Sequence, residues 1–259
     1  MKTRTLIVLV GLLLSIGAAD VSAAPGHLEG YVPAAANAEG RFGSFWTTDL
    51  WIYQQGATVI HLWFNPAGQD NTNGASKVIS LDGRVTHLRD VVGATFSADG
   101  IGSIHYLADG PVTVVSRTWT SSPEGGSYGQ IIPGQPLGNA SFAGTGQGGS
   151  LRMLVNQRSG FRSNLGLVNV SPLAVTVEVE IFTADGEPAP GNSSFSVDLA
   201  PFDMTQVNDL LQRLPAGQRE GIIVRAGVTS ADGAIMAYIS EVDNATNDAS
   251  YQEGFRFAF

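Results

Sequence analysis

Several stretches carry the residue types that chemistry uses, and their spacing decides what each can do. "GGSYG" (Gly125 to Gly129) fits the G-x-S-x-G pattern of a hydrolase nucleophile elbow, with Ser127 as the nucleophile. That chemistry needs a strand, a sharp turn and then a helix. Here "QIIPG" follows, which cannot open a helix, and a later echo, "DASYQEG", keeps Ser250-Tyr251 but loses the glycines. A Ser-Tyr pair held in both places marks a shared fold position better than a nucleophile. The four histidines, His27, His61, His87 and His105, would hold zinc only if three converged, and no two stand at the close spacing of paired ligands. Glu178 and Glu180 lie two apart on one strand face, facing solvent, not opposed across a cleft as a glycosidase requires. Asp49 and Glu241 have no obvious partner. No catalytic residue is assigned, and an enzyme is not expected.

Two binding chemistries remain. "GQDNTNG" (Gly68 to Gly74) and "DNATND" (Asp243 to Asp248) are crowded with side-chain oxygens of the kind calcium takes six to eight at a time. Neither has EF-hand spacing, and Asn and Asp also favour turns for local reasons. Asp243, Asn244, Asn247 and Asp248 are the better calcium candidates. All four tryptophans, Trp46, Trp51, Trp63 and Trp119, fall in the first half of the chain. An exposed indole offers a flat apolar face to a sugar ring, so Trp51, Trp63 and Trp119 are the candidate ligand-binding set; filling a core is the alternative use.

The elements that must position these residues are strands. "VTVEVEIF" alternates Val175, Val177, Val179 and Ile181 with Thr176, Glu178 and Glu180, the period-two pattern of a half-buried strand. "ATVIHLWF", "GSIHYLA", "VTVVSRTWT", "SSFSVDLA", "GIIVRAGV" and "AIMAYISEV" are further candidates between Gly, Pro, Asn and Asp turns. One helical turn per half is expected, around Leu88, Val91 and Val92 and again around Val207, Leu210, Leu211 and Leu214. The halves echo each other in order. Thr48-Asp49-Leu50 returns as Ser163-Asn164-Leu165, "WFNPAG" as "IFTADG", Asp90-Val91-Val92 as Asp209-Leu210-Leu211, and Ser127-Tyr128 as Ser250-Tyr251. A spacing that grows slowly through the same order of elements predicts an internal duplication. The expected fold is all-β: two tandem Ig-like antiparallel β-sandwiches over 24–133 and 150–259, joined by a Gly-rich linker over 134–149.

Lys2 and Arg4, an apolar run and "VSA" (Val21 to Ala23) have the order of a secretory signal peptide over residues 1–23. Cleavage would leave no integral membrane span and an exported, secreted or periplasmic protein. The absence of cysteine means that cores, not disulfides, must supply stability. In a cysteine-free bacterial export the triplets at Asn139, Asn192 and Asn244 are chance. A net charge of −9 without a basic run excludes a nucleic-acid footprint. The C-terminal "FRFAF" alternates Phe255, Phe257 and Phe259, as final strands of outer-membrane barrels do. A closing edge strand, or a sorting or docking tail, suits the duplicated pattern better.

"GSFWTTDLWIY", "FNPAGQDNTN", "VSRTWT…GSYGQIIPG", "GFRSNLGLVN", "MTQVNDLL" and "YISEVDNATND" resemble segments of a group of exported bacterial proteins built from paired Ig-like sandwich domains. The resemblance spans about Tyr31 to Tyr251. It implies architecture only, since that group carries no assigned ligand, cofactor or catalytic residue. The functional expectation is a non-enzymatic binding or structural module of the bacterial exterior with a protein or glycan partner at the cell surface. Carbohydrate binding through the first-half tryptophans is the sharper alternative, and a secreted hydrolase with an unrecognised site the other.

Overall fold

A computed structural model describes residues 26–144 and 149–256; the expected signal peptide, Phe257 and Phe259 lie outside them. The chain is all-β, built from antiparallel sheets. The first half comprises β1 (His27–Glu39), β2 (Phe45–Gln54), β3 (Val59–Pro66), β4 (Lys77–Ser80), β5 (Val85–Leu88), β6 (Gly100–Ser121), β7 (Ser127–Pro133) and β8 (Gln135–Pro136). The second comprises β9 (Ser141–Phe142), β10 (Leu151–Val155), β11 (Phe161–Asn169), β12 (Val175–Phe182), β13 (Ser194–Leu199), β14 (Met204–Val207), β15 (Ile222–Val228), β16 (Ala234–Asp243), β17 (Ala249–Glu253) and β18 (Phe255–Arg256).

The second half is a two-layer sandwich. An outer sheet runs β13-β12-β15-β10-β18 and an inner sheet β14-β11-β16-β17, with β9 beside β16. Val175, Val177, Val179 and Ile181 of β12 meet Leu165 and Leu167 of β11 and Ile235, Ala237 and Ile239 of β16 in one core. Complete burial of each such side chain contributes about 1.5–3 kcal/mol. Glu178 and Glu180 point the other way, and Glu180 pairs with Arg225 across the sheet.

The first half has the same pairing order with one connection closed up. β3 pairs with β4 as β12 does with β13, and β2 with β5 as β11 does with β14. The long β6 serves both layers. Its start pairs with β3 and β1, as β15 pairs with β12 and β10; its end pairs with β2 and β7, as β16 pairs with β11 and β17. Between Ala108 and Val112 the registers skip Asp109-Gly110-Pro111, where β6 crosses from one layer to the other. Proline lacks the ladder donor there, and Gly110 lies against the backbone of Ala57. In the second half the echoing Ala231-Asp232-Gly233 sits in an open turn between two separate strands.

The Thr-Asp-Leu and Ser-Asn-Leu echo has a local cause. Asp49 Oδ1 accepts the backbone N–H of Asp90 at 2.9 Å, and Asn164 Oδ1 accepts that of Asp209 at 3.1 Å. Asp90 and Asp209 are both left-handed, with φ 44° and 50°, and each starts a single helical turn, Val91–Thr95 and Leu210–Arg213. The turns fall where the apolar spacing placed them but are shorter: Leu88 and Val207 belong to the preceding strands, and Leu214 is already extended. Their Val91, Val92, Leu210 and Leu211 close the two cores.

Of the segment expected as a Gly-rich linker, residues 134–144 are largely paired, and 145–148 lie outside the described residues. β8 joins β1 and β9 joins β16. Gln135, Ala140 and Ser141 are buried, because this segment crosses between the packed halves, where unpaired backbone would be costly. A third core fills that joint: Tyr31, Ala140, Val168, Val170, Met204, Ala234, Met236 and Tyr238. β11 and β16 are therefore covered on both faces.

Candidate ligand cleft between the two halves

The outward residues of the inner sheet meet the first half over a cleft of about 360 Å³. Its floor carries Arg162 and Asn164 from β11, Gln206 from β14, and Tyr238 and Ser240 from β16. Its wall carries Ala34, Ala36, Ala38, the exposed Glu39 and Arg41, with Trp46 from the start of β2 and Gln130 from β7. Alternation places these side chains on one face: the intervening Leu165, Leu167, Ile239 and Ala237 point into the second-half core.

Polar contacts inside the cleft are selective. Arg162, only 8% exposed, donates to the amide oxygens of Asn244 (2.6 Å) and Asn247 (3.4 Å). Burial first, and the neighbouring Arg41 second, lower its pKa, while Asp209 opposes them. Arg41 itself pairs with Asp209 at 2.6 Å across the joint. The Tyr238 hydroxyl donates to Gln206 Oε1 at 3.4 Å, Gln206 Nε2 to Asn208 Oδ1 at 2.8 Å, and Ser240 to Gln130 Oε1 at 2.9 Å. Burial raises the Tyr238 phenol well above its ordinary range, so it stays a neutral donor.

The three tryptophans singled out by sequence do not meet in one platform. Trp63 on β3 stands in a cross-strand row with His105 of β6 and Tyr31 of β1: Trp63 stacks on His105 with centroids 4.9 Å apart, and His105 on Tyr31 at 4.5 Å. His61 stacks on Trp63 from two residues along. Trp51 lies on the other layer, stacked on His87 at 4.5 Å. Trp119 is a turn-proximal residue of β6 opposite Gly129, its indole N–H buried without a partner among the described residues. Imidazoles thus cover indole surface that a sugar would use. His105 also contacts Glu29 at 2.9 Å; desolvation lowers its pKa more than Glu29 raises it. His87 lies 3.9 Å from Asp49, and His27 at the start of β1 stands opposite Val112. Among the described residues no three His, Asp or Glu group as metal ligands.

Ser127 accepts from the Arg117 guanidinium at 2.8 Å on the β6–β7 ladder, with Asp49 on β2. Glu241 pairs with Ser163 in the β11–β16 register, and burial raises its pKa. The oxygen-rich turn Asp243–Asp248 holds Arg162 through Asn244 and Asn247. Asp243 caps Ala245 N–H, and Asp248 accepts from Ala249 and, across the joint, from Gly129. A calcium ion there would have to displace a guanidinium from two of its four ligands. Saturating calcium should leave the melting temperature unchanged in differential scanning fluorimetry, whereas a ligand of the folded state at 100 times its Kd adds about 2.7 kcal/mol. The other Asn-rich loop has a mechanical use: Gly68 and Gln69 donate to Asp203 of the second half.

Sequence inspection missed Trp46, Arg162, Asn164, Gln206 and Tyr238 as site residues. The available signal was weak: "GFRSNLGLVN" puts an arginine where the first half has Thr47, inside an otherwise matching echo.

No family model matches the chain. None of the curated proteins matches it. Among solved structures, a lectin from Pleurotus ostreatus in complex with GalNAc aligns over 90% of this chain and 85% of that one, with 10% identity and a TM-score of 0.24. A superposition this loose transfers neither fold nor ligand to this chain.

Proposed function

We propose that this protein is a non-enzymatic, exported bacterial binding module built from two duplicated β-sandwich units, and that it holds a small polar ligand in the cleft between them. One observation carries this: the residues of the two halves converge on a concave site that combines an indole, an apolar alanine wall and a ring of amide, hydroxyl, guanidinium and carboxylate groups. Ligand sites favour such junctions, and roughly 300 Å³ is the lower end of their usual size. A sugar or sugar-sized molecule fits that volume and that mixture of one flat apolar wall and many hydrogen-bonding groups. Trp46 has no stacked ring partner among the described residues, and its indole N–H donates to Ser44 at 3.1 Å.

The test uses intrinsic tryptophan fluorescence of the chain from Ala24 onward against a panel of mono- and oligosaccharides. A saturable change that disappears in Trp46→Phe and persists in Trp51→Phe and Trp63→Phe supports the cleft. A change that persists in Trp46→Phe and disappears in Trp51→Phe or Trp63→Phe would move the site to the outer faces of the first half.

A further inference from the structure

The cleft contains a guanidinium that no carboxylate pairs with among the described residues. Arg162 is more than nine-tenths buried, and its two partners, Asn244 and Asn247, are neutral amides. Among the described residues no carboxylate lies within ion-pair distance of it. The acidic residue nearest in function, Asp209, is already engaged by Arg41. A desolvated cation without a counter-ion is costly unless something else neutralises it.

The neighbouring amides are oriented in the same sense. Asn164 uses its oxygen to accept from Asp209 N–H, Gln130 uses its oxygen to accept from Ser240, and Asn208 uses its oxygen to accept from Gln206. The NH₂ groups of Asn164, Gln130 and Asn208 have no acceptor among the described residues, and all three residues line the cleft. The vacant capacity of these three amides is therefore donor, beside a guanidinium without an ion-pair partner; Glu39, the carboxylate of the lining, is solvent-exposed and makes no ion pair with Arg162.

We propose that the cleft binds a small carboxylate-bearing molecule, with the planar guanidinium of Arg162 taking the carboxylate and the three amides its remaining oxygens. One unpaired guanidinium balances one negative charge, which fits a monocarboxylate better than a phosphate dianion or a polyanion. The fork geometry of arginine matches the two carboxylate oxygens. Trp46 and the alanine wall receive the uncharged body, so a uronic acid meets both requirements. This rests on the cleft being the ligand site.

The experiment pairs each acid with its neutral counterpart: D-glucuronate with D-glucose and D-galacturonate with D-galactose, titrated by fluorescence and by calorimetry up to about 10 mM, a decade beyond a millimolar complex. The proposal expects at least one uronate to bind about tenfold or more tightly than its neutral partner, the loss of roughly one charged hydrogen-bond pair. Arg162→Gln should abolish that preference. Arg162→Lys, which keeps the charge and loses the fork, should weaken it without reversing it. Unchanged near-ultraviolet circular dichroism in Arg162→Gln shows that the variant is folded, and if it does not fold, Arg162→Lys carries the test: a preference as large as in the wild type would overturn the assignment of the carboxylate to the arginine fork. Equal binding of acid and neutral sugar would overturn the carboxylate assignment and leave the cleft standing. Binding of neither would overturn both.

Discussion

Asp203→Ala is expected to lower the unfolding free energy by about 3 kcal/mol, the scale of several charge-assisted hydrogen bonds discounted for those that water can replace. Asp203 is 6% exposed and sits just before β14. One oxygen accepts the backbone N–H groups of Gly68 (2.6 Å) and Gln69 (3.2 Å) in the first half and of Met204 (2.6 Å) in its own. Buried Asn71 reinforces the joint by donating to Phe202 O, while its own N–H donates to Pro201 O. Gly68 and Gln69 can recover water when the carboxylate is gone, but Met204 N–H is buried with no solvent to turn to. Asp203→Asn keeps an acceptor and loses the charge, so about half the penalty should remain. Urea denaturation separates the outcomes. A lower midpoint at unchanged m value means that the halves still unfold as one unit, and a split into two transitions means that this carboxylate couples them. A change within about 0.5 kcal/mol would mark the contact as an ordinary surface one.

How much of this was legible depends on how local each cause is. β12 could be read because its valines alternate with charged residues, and one face of its sheet is wet. The one-turn helices could be placed because Val91 and Val92, and Leu210 and Leu211, are apolar at helical spacing from Leu88 and Val207. "AIMAYISEV" also read as a strand, but its lack of alternation carried a further message. Strands covered on both faces read as continuous apolar runs, and β16 is covered by the outer sheet on one side and the first half on the other. The joint between the halves was thus present in the sequence as missing polarity, without any indication of what covered it.

The cleft was not legible, because its residues are brought together only by that joint. Ala34 and Ser240 share a wall and a floor although they stand at opposite ends of the chain. Grouping the tryptophans by sequence favoured Trp51 and Trp63, and nothing local shows that imidazoles stack on both. The asparagines of the Asp243–Asp248 turn looked like calcium ligands because composition cannot distinguish an oxygen aimed at a metal from one aimed at an arginine on another strand.

The same joint sets the second large effect, which is a coupling and not a single loss. Gly166 on β11 stands directly opposite Tyr238 on β16, and a Cβ added at Gly166 would overlap the Tyr238 ring. The ring lies across the glycine backbone and is completely buried between the halves. Covering a strand glycine with a cross-strand aromatic offsets the packing that glycine lacks. Gly166→Ala must therefore push the ring into Met204, Met236 and the first half, at a cost of about 1–3 kcal/mol for overpacking, even though alanine suits a strand better than glycine does. Tyr238→Ala should cost about 3–5 kcal/mol for the lost aromatic and the cavity left behind. In the double variant the added methyl group enters space that the ring has vacated. Gly166→Ala should then cost almost nothing, and the cycle should show a favourable coupling of about 1–3 kcal/mol. Tyr238→Phe gives the control. It removes the bond to Gln206 and keeps the ring, so Gly166→Ala must remain as damaging in that background as in the wild type. Additive losses in the Tyr238→Ala cycle would mean that the ring does not lie over the glycine. The tyrosine that closes the joint and lines the cleft would then need another explanation for its complete burial.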